Sequence, residues 1–190
     1  ASEFTNTGTF TDSNAFDSNI NVGNGGGAFN NSGTFNKQSA TTTAIGTRFN
    51  NTGIVNVQAG TMLMNGGGID SGVFNIADGA KLEFRNGAHT LNNVTTSGLG
   101  TFQISTENVG ADATVTVNGG THTTPFLMSG SSMNGTDTTF QGPATWTGGA
   151  IGGDGLTTFE STTFQNDVTI SGPNLKTLVG CPTPLPGFEF

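Results

Sequence analysis

Charge, cysteine and helix-forming runs are what this sequence has least of. Only 9% of its 190 residues are charged, and 13 acids against 5 bases leave a net charge of −8. The bases Lys37, Arg48, Lys81, Arg85 and Lys176 are scattered. A phosphate backbone needs clustered Lys and Arg, so nucleic acid is not an expected partner. One cysteine, Cys181, excludes an internal disulfide and leaves the redox compartment open. Tyrosine is absent and tryptophan single, which weighs against an aromatic-lined binding groove. No segment sets Ala, Leu, Glu and Lys at helical spacing, and 31 glycines among runs of Thr, Asn and Ser exclude substantial helix. The hydrophobic runs are too short for a membrane-spanning helix. A chain that opens at Ala1 without Met is expected to be a processed product or a fragment.

Apolar residues are sparse enough for disorder to be considered. Their placement opposes it: they are periodic and include 15 Phe, whereas disordered chains are poor in aromatics and rich in Lys, Glu and Pro. The period is plainest from Phe49 to Arg85. Val55 maps onto Phe74, Val57 onto Ile76, Gly60 onto Gly79 and Leu63 onto Leu82, all at the same offset. Within each copy, apolar and small polar residues alternate over three to five positions between Gly, Asn and Asp, the grammar of short half-buried strands.

A period of about 20 residues made of strands and turns predicts an all-β, single-stranded parallel β-helix, a β-solenoid of three faces and about nine coils. Phe4-Thr-Asn-Thr-Gly8 returns as Phe29-Asn-Asn-Ser-Gly33 and again, after a shorter step, as Phe49-Asn-Asn-Thr-Gly53. The longer first step places an insertion of about five residues at Gly23 to Gly27. In this motif the Phe points inward, Asn30 over Asn50 and Asn31 over Asn51 form amide ladders, and the Gly takes positive φ. Asn30-Asn-Ser32 and Asn50-Asn-Thr52 are sequons, as are Asn93-Val-Thr95 and Asn134-Gly-Thr136, but a corner role suffices for these asparagines.

Three inward stacks are expected: Leu63, Leu82 and Phe102; Val55, Phe74 and Val94; and Phe29, Phe49 and Ile69. Phe140 to Phe159, Ile151 to Ile170 and Phe126 to Trp146 keep the spacing. The predicted core is Phe29, Phe35, Phe49, Val55, Leu63, Phe74, Leu82, Phe84, Val94, Phe102, Phe140, Trp146, Phe159 and Ile170. The solenoid is expected over residues 1–179. Residues 180–190, which hold three prolines in Pro182, Pro184 and Pro186, form a tail or an inter-subunit strand, because Pro cannot donate to a ladder.

Neither end carries a polar cap, and an uncapped edge templates pairing. The expected subunit contacts are Ala1, Ser2, Glu3, Phe4 and Phe10 at one end and Leu178, Leu185, Phe188 and Phe190 at the other. The partner is a second copy, head to tail, or the neighbouring repeats of a longer chain.

Chemistry is thinly represented. No two of the acids are adjacent and none forms a visible dyad, so no catalytic residue is assigned and the chain is not read as an enzyme. Lys81, Glu83 and Arg85 alternate on an outward face as a solvated charge stripe. Asp70 and His89, one repeat apart, are placed to touch on neighbouring coils, and His122 has no acid in register. Two isolated His and one Cys make no transition-metal site. Calcium is the metal that turns such as Asp78-Gly79 and Gly152-Gly153-Asp154-Gly155 would take, although the full calcium-binding repeat is missing and no metal or cofactor residue is assigned. Thr9-Phe-Thr11, Thr114-Val-Thr116 and Thr145-Trp-Thr147 resemble the flat threonine arrays of ice-binding solenoids, but they are not spaced one coil apart.

The stretches FNNSGTFNK and TTTAIGTRFNNTGIVNVQAGTMLMNGGGIDSGVFNIADGAKLEF resemble the Gly/Asn/Thr-rich repeats of very large secreted bacterial surface proteins, including autotransporter passengers and filamentous-adhesin-like exoproteins. The resemblance is best over residues 29–105. It implies a parallel β-helix outside the cell or on its surface, serving as stalk, adhesin or matrix fibre, with carbohydrate as the alternative partner; a polysaccharide lyase or hydrolase on the same scaffold is the further alternative. The inward/outward assignment predicts that Phe74→Asp collapses the middle coils while Asn75→Asp is tolerated. Equal thermal midpoints for the two variants would remove it.

Overall fold

The computed structural model describes residues 2–23, 26–106, 112–165, 169–170 and 176–178. Every strand pairing in it is parallel, and no helix occurs among the described residues. The chain winds as a β-solenoid with three faces. The second face stacks nine strands in chain order, from Thr9–Asp12 through Thr34–Lys37, Ile54–Val57 and Val73–Ile76 to Lys176–Leu178. The third face runs from Ser18–Ile20 through Thr42–Ile45, Thr61–Met64 and Lys81–Phe84 to Thr101–Ile104. The first begins with Glu3–Asn6, Ala28–Asn31 and Arg48–Asn51 and continues over Gly68–Asp70, Ala88–Asn92 and Thr114–Asn118. The long strand Phe126–Thr136 turns the corner, pairing with Thr101–Ile104 and then with Thr114–Asn118, and so joins these two faces into one sheet.

The corners stack as well as the strands. Ile54 N donates to Gly33 O at 2.9 Å and Val73 N to Gly53 O at 2.9 Å, so turn amides are satisfied by the coil next door. The glycines of the Phe-Asn-Asn motif are needed for this contact and not for a positive φ, a correction to the sequence reading. A Cβ on Gly33 would lie 2.1 Å from Gly8 O, one on Gly53 2.2 Å from Gly33 O, and one on Gly72 2.2 Å from Gly53 O. The insertion sits where expected: the chain takes a longer path from Asn19 to Phe29 than from Ala44 to Phe49, the equivalent corner one coil on.

On the second face the inward column reads Phe10, Phe35, Val55, Phe74, Thr96, His122, Phe140 and Phe159, and the backbone of Leu178 pairs next in register with Phe159. Thr96 therefore stands where Val94 was expected. Val94 is buried, but at the corner before the strand, because the coil from Phe74 to Thr96 is longer than the one from Val55 to Phe74. On the third face Met62, and not Leu63, lies under Leu82, which lies under Phe102. The corner before Lys81 runs from Ala77 to Ala80 and is one residue longer than the corner before Thr61, which runs from Gln58 to Gly60. That extra residue moves the register by one and turns Leu63 to the outer column beneath Glu83.

Two further pairings differ from the expected step. Phe126 pairs with Ala144 and Trp146 with Met128, because this coil is shorter than the regular repeat. On the first face Phe4, Phe29 and Phe49 stack, but Gly68 occupies the next slot and Ile69 turns outward, 58% exposed. A Cβ at Gly68 would meet Phe49 O at 1.7 Å, so the close approach admits only glycine. The other predicted core residues, Phe29, Phe35, Phe49, Val55, Phe74, Leu82, Phe84, Phe102, Phe140, Trp146 and Phe159, are buried in one apolar cluster, and Ile170 packs against it.

Amide ladders run beside the aromatic columns. Asn6 Nδ2 donates to Asn31 Oδ1 at 2.7 Å and Asn31 Nδ2 to Asn51 Oδ1 at 2.8 Å, inside; outside, Asn50 Nδ2 donates to Asn30 Oδ1 at 2.8 Å. A ladder absent from the sequence reading links Asn36, Asn56, Asn75 and Ser97 on the second face. Asn75→Asp therefore loses a donor and costs about 1 kcal/mol, still far below the cost of a charge at Phe74. The register assignment predicts that Met62→Lys destabilises by about 3 kcal/mol or more, as removal of a buried apolar side chain does, and by more than Leu63→Lys, because Leu63, although only 6% exposed, stands in the outer column, where a lysine ammonium can reach solvent. Urea midpoints in the reverse order would show the register to be Leu63 under Leu82.

Candidate functional site

Three places hold side chains able to do more than fill space: the first coil, a set of buried titratable groups, and the outer surface of the third face. In the first coil the apolar column stops at an uncovered ring. Phe4 is 43% exposed although it stacks on Phe29 at 4.8 Å and meets Phe10 edge-on at 5.9 Å. Ser2 and Glu3 are exposed beside it, and Phe10 is half-buried on Phe35. Gly8 belongs to the column of close-approach glycines, yet nothing lies within 4 Å of where its Cβ would be. Of the other predicted contacts, Leu178 pairs by register with Phe159, and Ala1, Leu185, Phe188 and Phe190 lie outside the described residues.

Inside the solenoid Asp70 continues the column of Asn6, Asn31 and Asn51. Its Oδ1 accepts from Asn51 N at 2.8 Å, and its Oδ2 is buried with no hydrogen-bond partner. Burial raises its pKa to about 8, against a smaller lowering by the Asn51 amide, so near neutral pH it is mostly an uncharged acid. The expected contact with His89 is not formed, because the register pairs Asp70 with Leu91 and Gly68 with His89. His89 instead donates Nε2–H to Asn86 O at 2.9 Å and packs edge-on against Phe84. His122 has Nδ1 3.2 Å from Thr96 Oγ1 and its ring stacked 4.7 Å from Phe140. Burial lowers both histidines to about 4, so both are neutral.

On the third face the charge stripe is outward, with Lys81 and Arg85 partly exposed and only Glu83 withdrawn from solvent. Glu83 is 4% exposed. Its Oε1 accepts from Arg85 Nε at 3.0 Å, Arg85 Nη2 at 2.8 Å and Ser105 Oγ at 2.7 Å, while Oε2 lies 3.7 Å from Lys81 Nζ. Burial raises its pKa, but the Ser105 and Arg85 hydrogen bonds and the two cations outweigh this and hold it below the usual value. Among the described residues no three His, Cys, Asp or Glu side chains gather within metal-binding range. The Thr-x-Thr triplets lie on three different faces, Thr9 to Thr11 on the second, Thr114 to Thr116 on the first and Thr145 to Thr147 on the third, and so form no common array.

The buried titratable groups dictate a pH profile. Each histidine falls from 6.5 to about 4 on folding, so its contribution is full above 6.5 and is lost as pH drops toward 4; Asp70 rises from 3.8 to about 8, so its contribution is full below 3.8 and is lost as pH climbs toward 8. Among these three groups the two histidines outweigh the aspartate up to 6.5, and Asp70 alone of the three acts beyond it. The stability maximum is expected near pH 6.5, with Asp70→Asn abolishing the decline between 6.5 and 8; an unchanged decline in urea midpoints would assign it elsewhere. Comparison with protein-family models, curated proteins and solved structures returns no match to the chain.

Proposed function

We propose that the chain is a structural β-solenoid, a subunit or segment of an extracellular or cell-surface fibre, stalk or layer, whose work is done by stacking coil on coil. The observation that carries this reading is Gly8. Gly33, Gly53 and Gly72 are glycine because the preceding coil leaves no room for a Cβ, and Gly8 is glycine although no described residue crowds its position. The first coil is thus shaped as an interior one. Phe4 and Phe10 offer the apolar column to whatever lies beneath, and Asn6 offers the amide ladder. A coil bearing Phe at the two column positions and Gly at the corner completes all of these contacts. It comes from a second copy or from an adjoining repeat.

Burying the exposed part of two phenylalanine rings and pairing three strand edges provides a few kcal/mol, at about 25 cal/mol per Å² of apolar area, and a head-to-tail contact of this kind propagates without closing. Electron microscopy of the purified chain is expected to show fibres ~20–30 Å wide, from about six residues per face at ~3.3 Å each. Gly8→Val, which has free space in the isolated chain, is expected to retain the β circular-dichroism signal and thermal midpoint while abolishing fibres. Dispersed particles from the unaltered chain at high concentration, or fibres undiminished in Gly8→Val, would overturn stacking between copies.

A further inference from the structure

We propose that the outer surface of the third face, where Lys81, Glu83 and Arg85 meet Gln103, Ser105 and Ser129, is a binding groove for an uncharged saccharide. These residues come from three successive coils and line one groove. It lies on the side of the rod, so it is independent of what happens at the ends.

The groove is built and incompletely satisfied. Gln103, in register with Glu83, is only 8% exposed. Its Nε2 donates to Ser129 Oγ at 2.9 Å, which leaves Oε1 buried without a hydrogen-bond partner. Exchanging the amide oxygen and nitrogen does not cure this, because Nε2 would then lack an acceptor. On Glu83 three donors converge on Oε1, while Oε2 is ion-paired with the Lys81 ammonium at 3.7 Å, outside hydrogen-bond range. A buried acceptor costs free energy until something donates to it. The unpartnered Gln103 Oε1 and the Glu83 Oε2 that lacks a hydrogen bond lie in register on adjacent coils ~4.8 Å apart and ask for two donors on one ligand.

The charges decide the class of ligand. Phosphate and other pure acceptors meet Glu83 Oε2 and Gln103 Oε1, which repel them. A metal ion meets Lys81 and Arg85, both partly exposed at the rim. Apolar ligands find almost no apolar lining. A hydroxyl donates and accepts at once, so neighbouring hydroxyls of a sugar can donate to Glu83 Oε2 and Gln103 Oε1 while accepting from Lys81 Nζ. The Arg85 guanidinium, already spent on Glu83, holds that carboxylate in place.

The test is isothermal titration calorimetry of the whole chain with neutral tetrasaccharides of glucose, galactose and N-acetylglucosamine, with galacturonate tetrasaccharide and inorganic phosphate as separate arms. Saturable binding of at least one neutral oligosaccharide is expected, with affinity at least tenfold lower in Gln103→Leu. The thermal midpoint of unliganded Gln103→Leu is expected to hold or rise, because a buried acceptor has been removed. No saturable binding by any neutral sugar overturns the proposal, as does equal affinity in Gln103→Leu. Binding of galacturonate or phosphate alone also overturns it, and identifies the groove as an anion site.

Discussion

The structure depends on one constraint: each strand finds its hydrogen-bond partners in the coil before it and the coil after it, in parallel and in register. A residue is therefore read together with those above and below it in a column along the axis. Phe35 must suit Phe10 and Val55, and Asn31 must suit Asn6 and Asn51. Gly33 and Gly53 are set by the same rule, since the corner of one coil rests on the backbone of its neighbour. The buried aromatics contribute on the order of 2–3 kcal/mol for each ring, beside the aliphatic side chains packed with them. The amide ladders supply less, about 1 kcal/mol per bond, but they are directional. A one-residue slip would break all of them at once, so they act chiefly on register.

That division of labour explains how so polar a sequence holds a core. The solenoid interior is a narrow line, and at several levels it accepts a polar group: Thr96 and His122 within the second-face column, and Asp70 at the end of the inner asparagine ladder. Each is made compatible with burial by staying neutral. Burial itself enforces this, lowering both histidines and raising the aspartic acid. The outer surface shows the reverse case, where Glu83 stays ionised under cover because Ser105 and Arg85 bond to its charged form.

Columns also account for where function can sit on such a molecule. A coil in mid-rod has both neighbours, which take up its strand edges and most of its interior groups, Asp70 Oδ2 being an exception. Among the described residues, unspent bonding capacity near the surface lies at the uncovered first coil, as with Phe4 and Gly8, and on the outer face, as with Gln103 and Glu83. The first favours another coil of the same pattern. The second favours a ligand that both donates and accepts.

From the sequence alone the class of fold was determined: parallel all-β coils of about 20 residues, three faces, the pairing of Val55 with Phe74, the stacking of Phe29 on Phe49 and the Asn30–Asn50 and Asn31–Asn51 ladders. These follow from local alternation and from copies close enough in length for their offsets to mark true neighbours. Only the tertiary structure decided the rest. One extra corner residue before Lys81 exchanged Leu63 for Met62, and a glycine displaced Ile69. One lengthened coil placed Thr96 over Phe74, and one shortened coil separated Trp146 from Phe126. The depth of Glu83 and the unpartnered Oε1 of Gln103 were equally invisible, because they depend on which side chains the next two coils bring alongside. A strand repeats with period two and reveals its own inside and outside, but a corner has no period, and its length sets which neighbour every later residue meets.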